Sequence, residues 1–122
     1  MKLHLEQAAG RHVFTSAGRG YVAVNHDRHE CPLLVMGDEL QRWNATAFEM
    51  LAPEHFTDLL AWKAEIVLLG TGATLRFPAG AVTAPLATAG VGLEVMDTRA
   101  ACRTFNVLTA EGRRVLAAVF PE

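Results

Sequence analysis

Residues 90–115 read Gly90-Val91-Gly92-Leu93-Glu94-Val95-Met96-Asp97-Thr98-Arg99-Ala100-Ala101-Cys102-Arg103-Thr104-Phe105-Asn106-Val107-Leu108-Thr109-Ala110-Glu111-Gly112-Arg113-Arg114-Val115. This stretch predicts a strand, a sharp junction and a helix. Residues 93–96 are strand-like, and Asp97 or Thr98 then offers a side-chain oxygen to the free amides of a helix start. Ala101, Phe105 and Leu108 recur at helical spacing as an inward stripe, with Arg99, Arg103 and Asn106 on another face. Gly112 supplies the stop, and residues 115–120 return as a final strand.

Working outward, residues 81–89 predict a helix in which Pro85 is tolerated only in a first turn or with a kink, ended by Gly90 and Gly92. Residues 66–69 are continuously apolar up to Gly70, as expected of a strand covered on both faces. Residues 74–77 read as a peripheral extended piece before Pro78. Phe56, Leu59, Leu60 and Trp62 recur at helical spacing over residues 54–64, with Pro53 placed to start that helix. Nearer the N-terminus, residues 21–24 are strand-like. Asn25-His26-Asp27-Arg28 has turn chemistry and predicts a hairpin into residues 32–36, which Gly37 and Asp38 close before a polar segment. The first twenty or so residues, with Gly10, Gly18 and Gly20, read as extended arms and turns. The alternation of strands and helices argues for a mixed sheet with helices on its faces.

The length of 122 residues suits one domain, and 51% hydrophobic with 20% charged residues is a globular balance. A net charge of -2 gives no broad basic field, which argues against nucleic acid as a partner. The apolar run at 79–93 is interrupted by Gly80, Thr83, Pro85, Thr88 and Gly90, so no direct membrane insertion is expected. Residues 1–7 show no apolar signal core and carry an acid at Glu6, which makes the cytoplasm the expected location. Cys31 and Cys102 stand outside any Cys-x-x-Cys pairing. Both are expected as reduced thiols, with Cys102 as a small core residue.

The candidate chemistry is sparse. Gly70-Thr71-Gly72 after a strand invites comparison with a dinucleotide fingerprint, but position 75 is Leu where the third glycine would stand, and no phosphate-loop lysine follows. Asp97 and Thr98 present side chains at a strand end, as a helix cap or as ligand donors, with Arg103, Thr104 and Asn106 nearby. Arg103 is expected to pair with Glu94, Asp97 or Glu111. The segment from His26 to Cys31 holds two imidazoles, carboxylates and a thiol, but on a hairpin these alternate between faces, so an exposed polar turn is preferred to a metal site. Trp62 is expected in the core and Trp43 at the surface, and Arg113-Arg114 as a solvated basic pair. No catalytic residue, metal ligand or cofactor is assigned.

Taken as an ordered set, the strand from Glu65, Gly70-Thr71-Gly72, Phe77-Pro78, residues 92–98, residues 101–108 and Glu111-Gly112-Arg113 resemble the adipogenesis-associated and mitochondrial complex I assembly factor family, known in bacteria and archaea as a domain of unknown function. The resemblance covers most of the chain and is most specific in the second half. It implies a three-layer α/β fold, one domain over residues 1–122, around a mixed sheet of about five strands, with the N-terminal hairpin added to it. No established enzyme activity comes with it. The expectation is a protein-interaction or assembly-accessory module, with a protein partner, working through the surface around Gly70, Gly72, Asp97, Thr98, Arg103 and Asn106. The alternative is a small-molecule-binding protein or enzyme with its pocket at the Asp97/Arg103 strand ends.

Overall fold

Short apolar runs separated by turn-forming residues break this chain into eight strands and three helices among the described residues, which in the computed structural model are 11–122. The reading of residues 1–7 and Gly10 lies outside them. Phe14–Gly18 (β1), Tyr21–Val24 (β2) and Asp27–His29 (β3) form a small antiparallel sheet in the order β1-β2-β3. Leu33–Met36 (β4) and Glu39–Arg42 (β5) form a second hairpin. A 3₁₀ turn at Phe48–Met50 leads to helix α1 (Pro53–Leu59), which ends in another 3₁₀ turn at Leu60–Trp62. Ile66–Thr71 (β6), Gly80–Thr88 (α2), Gly92–Met96 (β7), Thr98–Ala110 (α3) and Val115–Phe120 (β8) complete the chain.

The main sheet runs β5-β4-β8-β6-β7, with β6 parallel to both β7 and β8, and β4 antiparallel to β5 and β8. Strand β8, buried at all six positions, lies at its centre, and its period-two alternation divides the interior. Val115, Ala117 and Val119 face a cluster with Leu33, Val35 and Leu68 that packs under α3 (Ala101, Cys102, Phe105) and the small sheet (Phe14, Val22, Val24). Leu116, Ala118 and Phe120 face the opposite cluster with Val67 and Leu69, under α1 (Phe56, Leu59) and α2 (Leu86). The result is three layers: α3 with the small sheet, the five-stranded mixed sheet, and α1 with α2.

The N-terminal third departs from the sequence reading in its pairing. Asn25 and His26 both adopt positive φ, 49° and 75°, and form a two-residue turn that pairs β2 with β3, not with residues 32–36. Strand β4 crosses to the main sheet instead, and Gly37, at φ 62°, and Asp38 turn it into β5. Residues 74–77 form no strand. Trp62, in the turn after α1, packs partly buried against the core, as expected, but Trp43 is not at the surface. Trp43 is 2% exposed and packs against Phe56 and Phe120, because the chain leaving β5 folds beneath the sheet. Pro85 lies in the interior of α2, beyond its first turn.

Candidate functional site

Two parallel crossovers, β6-α2-β7 and β7-α3-β8, bring the carboxyl ends of β6, β7 and β8 to one edge of the sheet, which is where α/β proteins expose their working residues. Gly70 and Gly72 end β6 there. A Cβ on Gly70 would come within 2.9 Å of Val119 Cγ1 and 3.1 Å of Thr98 Cα, so only glycine lets β6, β8 and α3 approach this closely. Gly72 has φ +96° and turns the chain out of the sheet. Thr98 is fully buried. Its Oγ1 accepts from the Gly72 amide at 2.8 Å and donates to the Phe120 carbonyl at 2.5 Å, while its own amide donates to the Gly72 carbonyl at 2.9 Å. Asp97 Oδ1 accepts from the Ala100 amide at 2.9 Å and caps α3.

These bonds leave little at the helix start for an anion. Of the first three amides of α3, Thr98 and Ala100 are committed and only that of Arg99 remains. A pyrophosphate cradle, which needs several free amides at a helix start, is not formed here. Gly70, Gly72, Asp97 and Thr98 are thus brought together as a structural joint.

The other two residues of the expected surface lie elsewhere. Asn106 is nine residues along α3 from Asp97, roughly 13 Å at the helical rise, and clamps β1: its Oδ1 accepts from the Phe14 amide at 3.0 Å and its Nδ2 donates to the Phe14 carbonyl at 2.8 Å. It therefore does not share a free face with Arg99 and Arg103. Arg103 is exposed and, among the described residues, forms no ion pair with Glu94, Asp97 or Glu111. The Cys102 thiol is pushed up to about 12 by burial, so at neutral pH it is a protonated core residue and no nucleophile. Arg113 and Arg114 are engaged too: Arg113 pairs with Glu65 at 2.8 Å, and Arg114 Nε donates to the Lys63 carbonyl.

The exposed chemistry at this edge belongs to the segment after Gly72, read from sequence as a peripheral extended piece. Arg76 folds back against the joint. One of its terminal nitrogens donates to the Thr71 carbonyl at 3.0 Å, the other pairs with Glu49 at 2.7 Å, and the guanidinium stacks 4.3 Å from the centre of the Phe48 ring. A backbone hydrogen bond and the Arg76 guanidinium hold the Glu49 carboxyl below its usual range. The Thr71 hydroxyl donates to the Thr74 carbonyl at 2.7 Å and accepts from the Arg76 amide, which fixes the loop. Leu75 and Phe77 flank Arg76 at 50% and 71% exposure, and Met50, next to Glu49, is 62% exposed. Beside them a depression of about 290 Å³ is lined by Ala47, Phe48, Glu49, Arg76, Phe120 and Pro121 among others. A larger groove, about 580 Å³, lies at the opposite edge beside Gly37, Thr109 and Val115, away from the joint. The alternation Leu75-Arg76-Phe77 was the one signal of an unusual segment in the sequence, and it fits an ordered loop as well as a strand.

A family model described as "Protein of unknown function (DUF498/DUF598)" matches residues 14–120. A curated relative from Bos taurus, named NADH dehydrogenase [ubiquinone] 1 alpha subcomplex assembly factor 3, is 32% identical over 123 residues, covering 98% of this chain. The chain spans 65% of that relative's length. A crystal structure of a Bordetella parapertussis protein superposes with a TM-score of 0.86 at 32% identity, covering 92% of this chain and 97% of that one. A Bordetella pertussis protein described as a Mth938-like domain gives a TM-score of 0.73 at 30% identity, covering 99% and 92%.

Proposed function

This chain belongs to the DUF498/DUF598 family of proteins of unknown function, and we propose that it acts as a protein-interaction or assembly-accessory module. The observation that carries this reading is Phe77, 71% exposed on a loop that Arg76 fastens to the sheet edge and to the Phe48–Met50 turn. Loops that bind partners are disproportionately those held by a rigid scaffold. Covering Phe77 and Leu75 with a partner removes apolar surface from water, roughly 1.5–3 kcal/mol for each side chain fully buried. The printed name of the bovine relative, an assembly factor, supports the same reading. In this view Gly70, Gly72, Asp97 and Thr98 hold the loop in place, Arg103 extends the exposed face along α3, and Asn106 serves β1. No helix among the described residues is long and apolar enough to cross a membrane. The module is read as working from the cytoplasm.

The test is purification of the tagged chain at native expression, compared with a Leu75→Ser/Phe77→Ser double variant whose melting temperature is unchanged. A protein enriched by the parent chain and depleted tenfold or more by the variant is expected. Enrichment of a metabolite with no protein partner would overturn the proposal in favour of a ligand-binding role.

A further inference from the structure

We propose that the free edge of β7 pairs with the same edge of a second copy of this chain, antiparallel about a two-fold axis at Leu93, so that two five-stranded sheets join into one. This goes beyond the partner-binding reading of the Phe77 loop and does not rest on it. The Gly92 amide donates to the Glu65 carbonyl at 3.1 Å, and the Met96 carbonyl accepts from the Thr71 hydroxyl, so Gly92, Glu94 and Met96 turn their backbone groups to β6. By the alternation of a strand, Leu93 and Val95 turn theirs the other way. On that side, among the described residues, β7 has no neighbour. An N–H and a C=O offered by each of two alternate residues is what an added strand requires.

The other sheet edges are guarded and this one is not. β5 carries Glu39 and Arg42, and β3 carries Asp27 and Arg28, charged side chains of the kind that keep edges apart. β1 is held by Asn106. Leading into β7, by contrast, no residue from Phe77 to Leu93 is charged, in a chain with 20% charged residues. Helix α2, which packs on β7, fully buries only Leu86 and exposes Gly80, Ala81, Ala84, Ala87 and Thr88. A helix without a charged face is normally a covered one, and depletion of charge marks the centre of an interface.

Register selects the second copy as occupant. With the axis at Leu93, Leu93 meets its own counterpart, Val95 meets Val91 and Glu94 meets Gly92. Val91, Leu93 and Val95 are the half-buried side chains on the α1 and α2 side, so apolar pairs close that face. Glu94, exposed and in no ion pair among the described residues, then faces a glycine. An axis at Glu94 would instead set two carboxylates on Cβ atoms about 4.5–5.5 Å apart. A two-fold contact asks one patch to fit itself, and the Leu93 axis does so without opposing like charges. With α2 beside it the strand draws on residues 77–95, just short of the roughly 20–30 residues a side of a standard interface.

The experiment follows the full chain by sedimentation equilibrium and by amide exchange over a wide range of concentration. A monomer–dimer equilibrium is expected, with Kd on the order of 10–100 µM, the weak end for an interface of this size. The Leu93 and Val95 amides exchange freely in the dilute monomer and should slow at least tenfold in the dimer, while those of Gly92 and Glu94, already on β6, change little. Leu93→Pro removes an outward amide without touching the β6 ladder and should keep the chain monomeric. The exchange measurement needs no variant, so it decides the matter if the proline chain does not fold. Glu94→Gln should change Kd less than threefold, and tightening by tenfold or more would overturn the Leu93 axis. A chain that stays monomeric at millimolar concentration, a dimer that a folded Leu93→Pro chain still forms, or a dimer in which Leu93 and Val95 exchange at the monomer rate would overturn the proposal. Each of those results leaves the Phe77 reading untouched, since that reading stands or falls on capture of a protein partner.

Discussion

Thr98 shows how one side chain is committed before any ligand can reach it. Its hydroxyl stands between the Gly72 amide and the Phe120 carbonyl in a fully buried site, so it joins β6, α3 and β8 at the edge of the sheet. Thr98→Val keeps the volume and removes both bonds, leaving a buried donor and a buried acceptor without partners. Each such loss costs about 1–3 kcal/mol, and urea denaturation should show the sum to within a factor of two. Thr98→Ser retains the hydroxyl and should cost less than about 1.5 kcal/mol, the loss expected for one buried methyl. The sequence made the position visible but not the role, because a threonine after an aspartate at a strand end has the same composition whether it caps, staples or binds. Asp97 was separable in part, since its carboxylate can satisfy a helix amide locally. Asn106 was not: its partner is Phe14, ninety-two positions away.

Among the elements, α1 and α3 follow from helical spacing and the longer strands from nearly continuous apolar runs, whereas α2 carries no amphipathic period and is marked by its bounding glycines, and the short strands carry no signal of their own. Residues 66–71, 92–96 and 115–120 carry enough apolar positions to declare themselves, and Gly112 ends α3 with its own amide on the Thr109 carbonyl and that of Arg113 on the Leu108 carbonyl. Strands β3 and β5 have three and four residues and are mostly polar, so neither shows a period that turn chemistry does not mimic. The Arg76 loop is the opposite case, a strand-like pattern that Gly72 turns away from any free sheet edge. Its attachment is pH-dependent with a definite sign. The Glu49 carboxyl is held below the ordinary value of 4.5 by a backbone bond and by Arg76, so the pair is intact above that value and is lost as pH falls through the lowered one. Acidification below 4.5 should therefore raise amide exchange in residues 73–78 before global unfolding, and Glu49→Gln should produce the same loosening at neutral pH. Protection that stays uniform in both experiments would mean that the Thr71 and Thr74 bonds hold the loop without the ion pair.

At the scale of the whole molecule, the five-stranded sheet is sealed on one face by α1 and α2 and on the other by α3 together with the small sheet, and that last layer is the least continuous. β1 reaches the rest through α3: Phe14 meets Phe105 edge-on with ring centres 5.3 Å apart, and the Asn106 side chain takes both the amide and the carbonyl of Phe14. Among the described residues, no backbone ladder joins the two sheets. Asn106→Ala strips both partners from a strand whose ladder, among the described residues, is with β2 alone, which should cost about 1–3 kcal/mol for each partly buried group left unmet. The loss should be local. Amide exchange should rise across β1, β2 and β3, because among the described residues they pair only with one another, and stay slow in β6 and β8, whose ladder and two-sided burial do not depend on Asn106. Phe105→Ala, by contrast, opens the shared core on the α3 side and should cost about 3–5 kcal/mol, with protection falling in both sheets at once. If Asn106→Ala instead lowers protection everywhere equally, the small sheet and the main sheet unfold as one unit, and the apolar contacts among Phe14, Val22, Val24 and Phe105 rather than the asparagine clamp hold the layer in place.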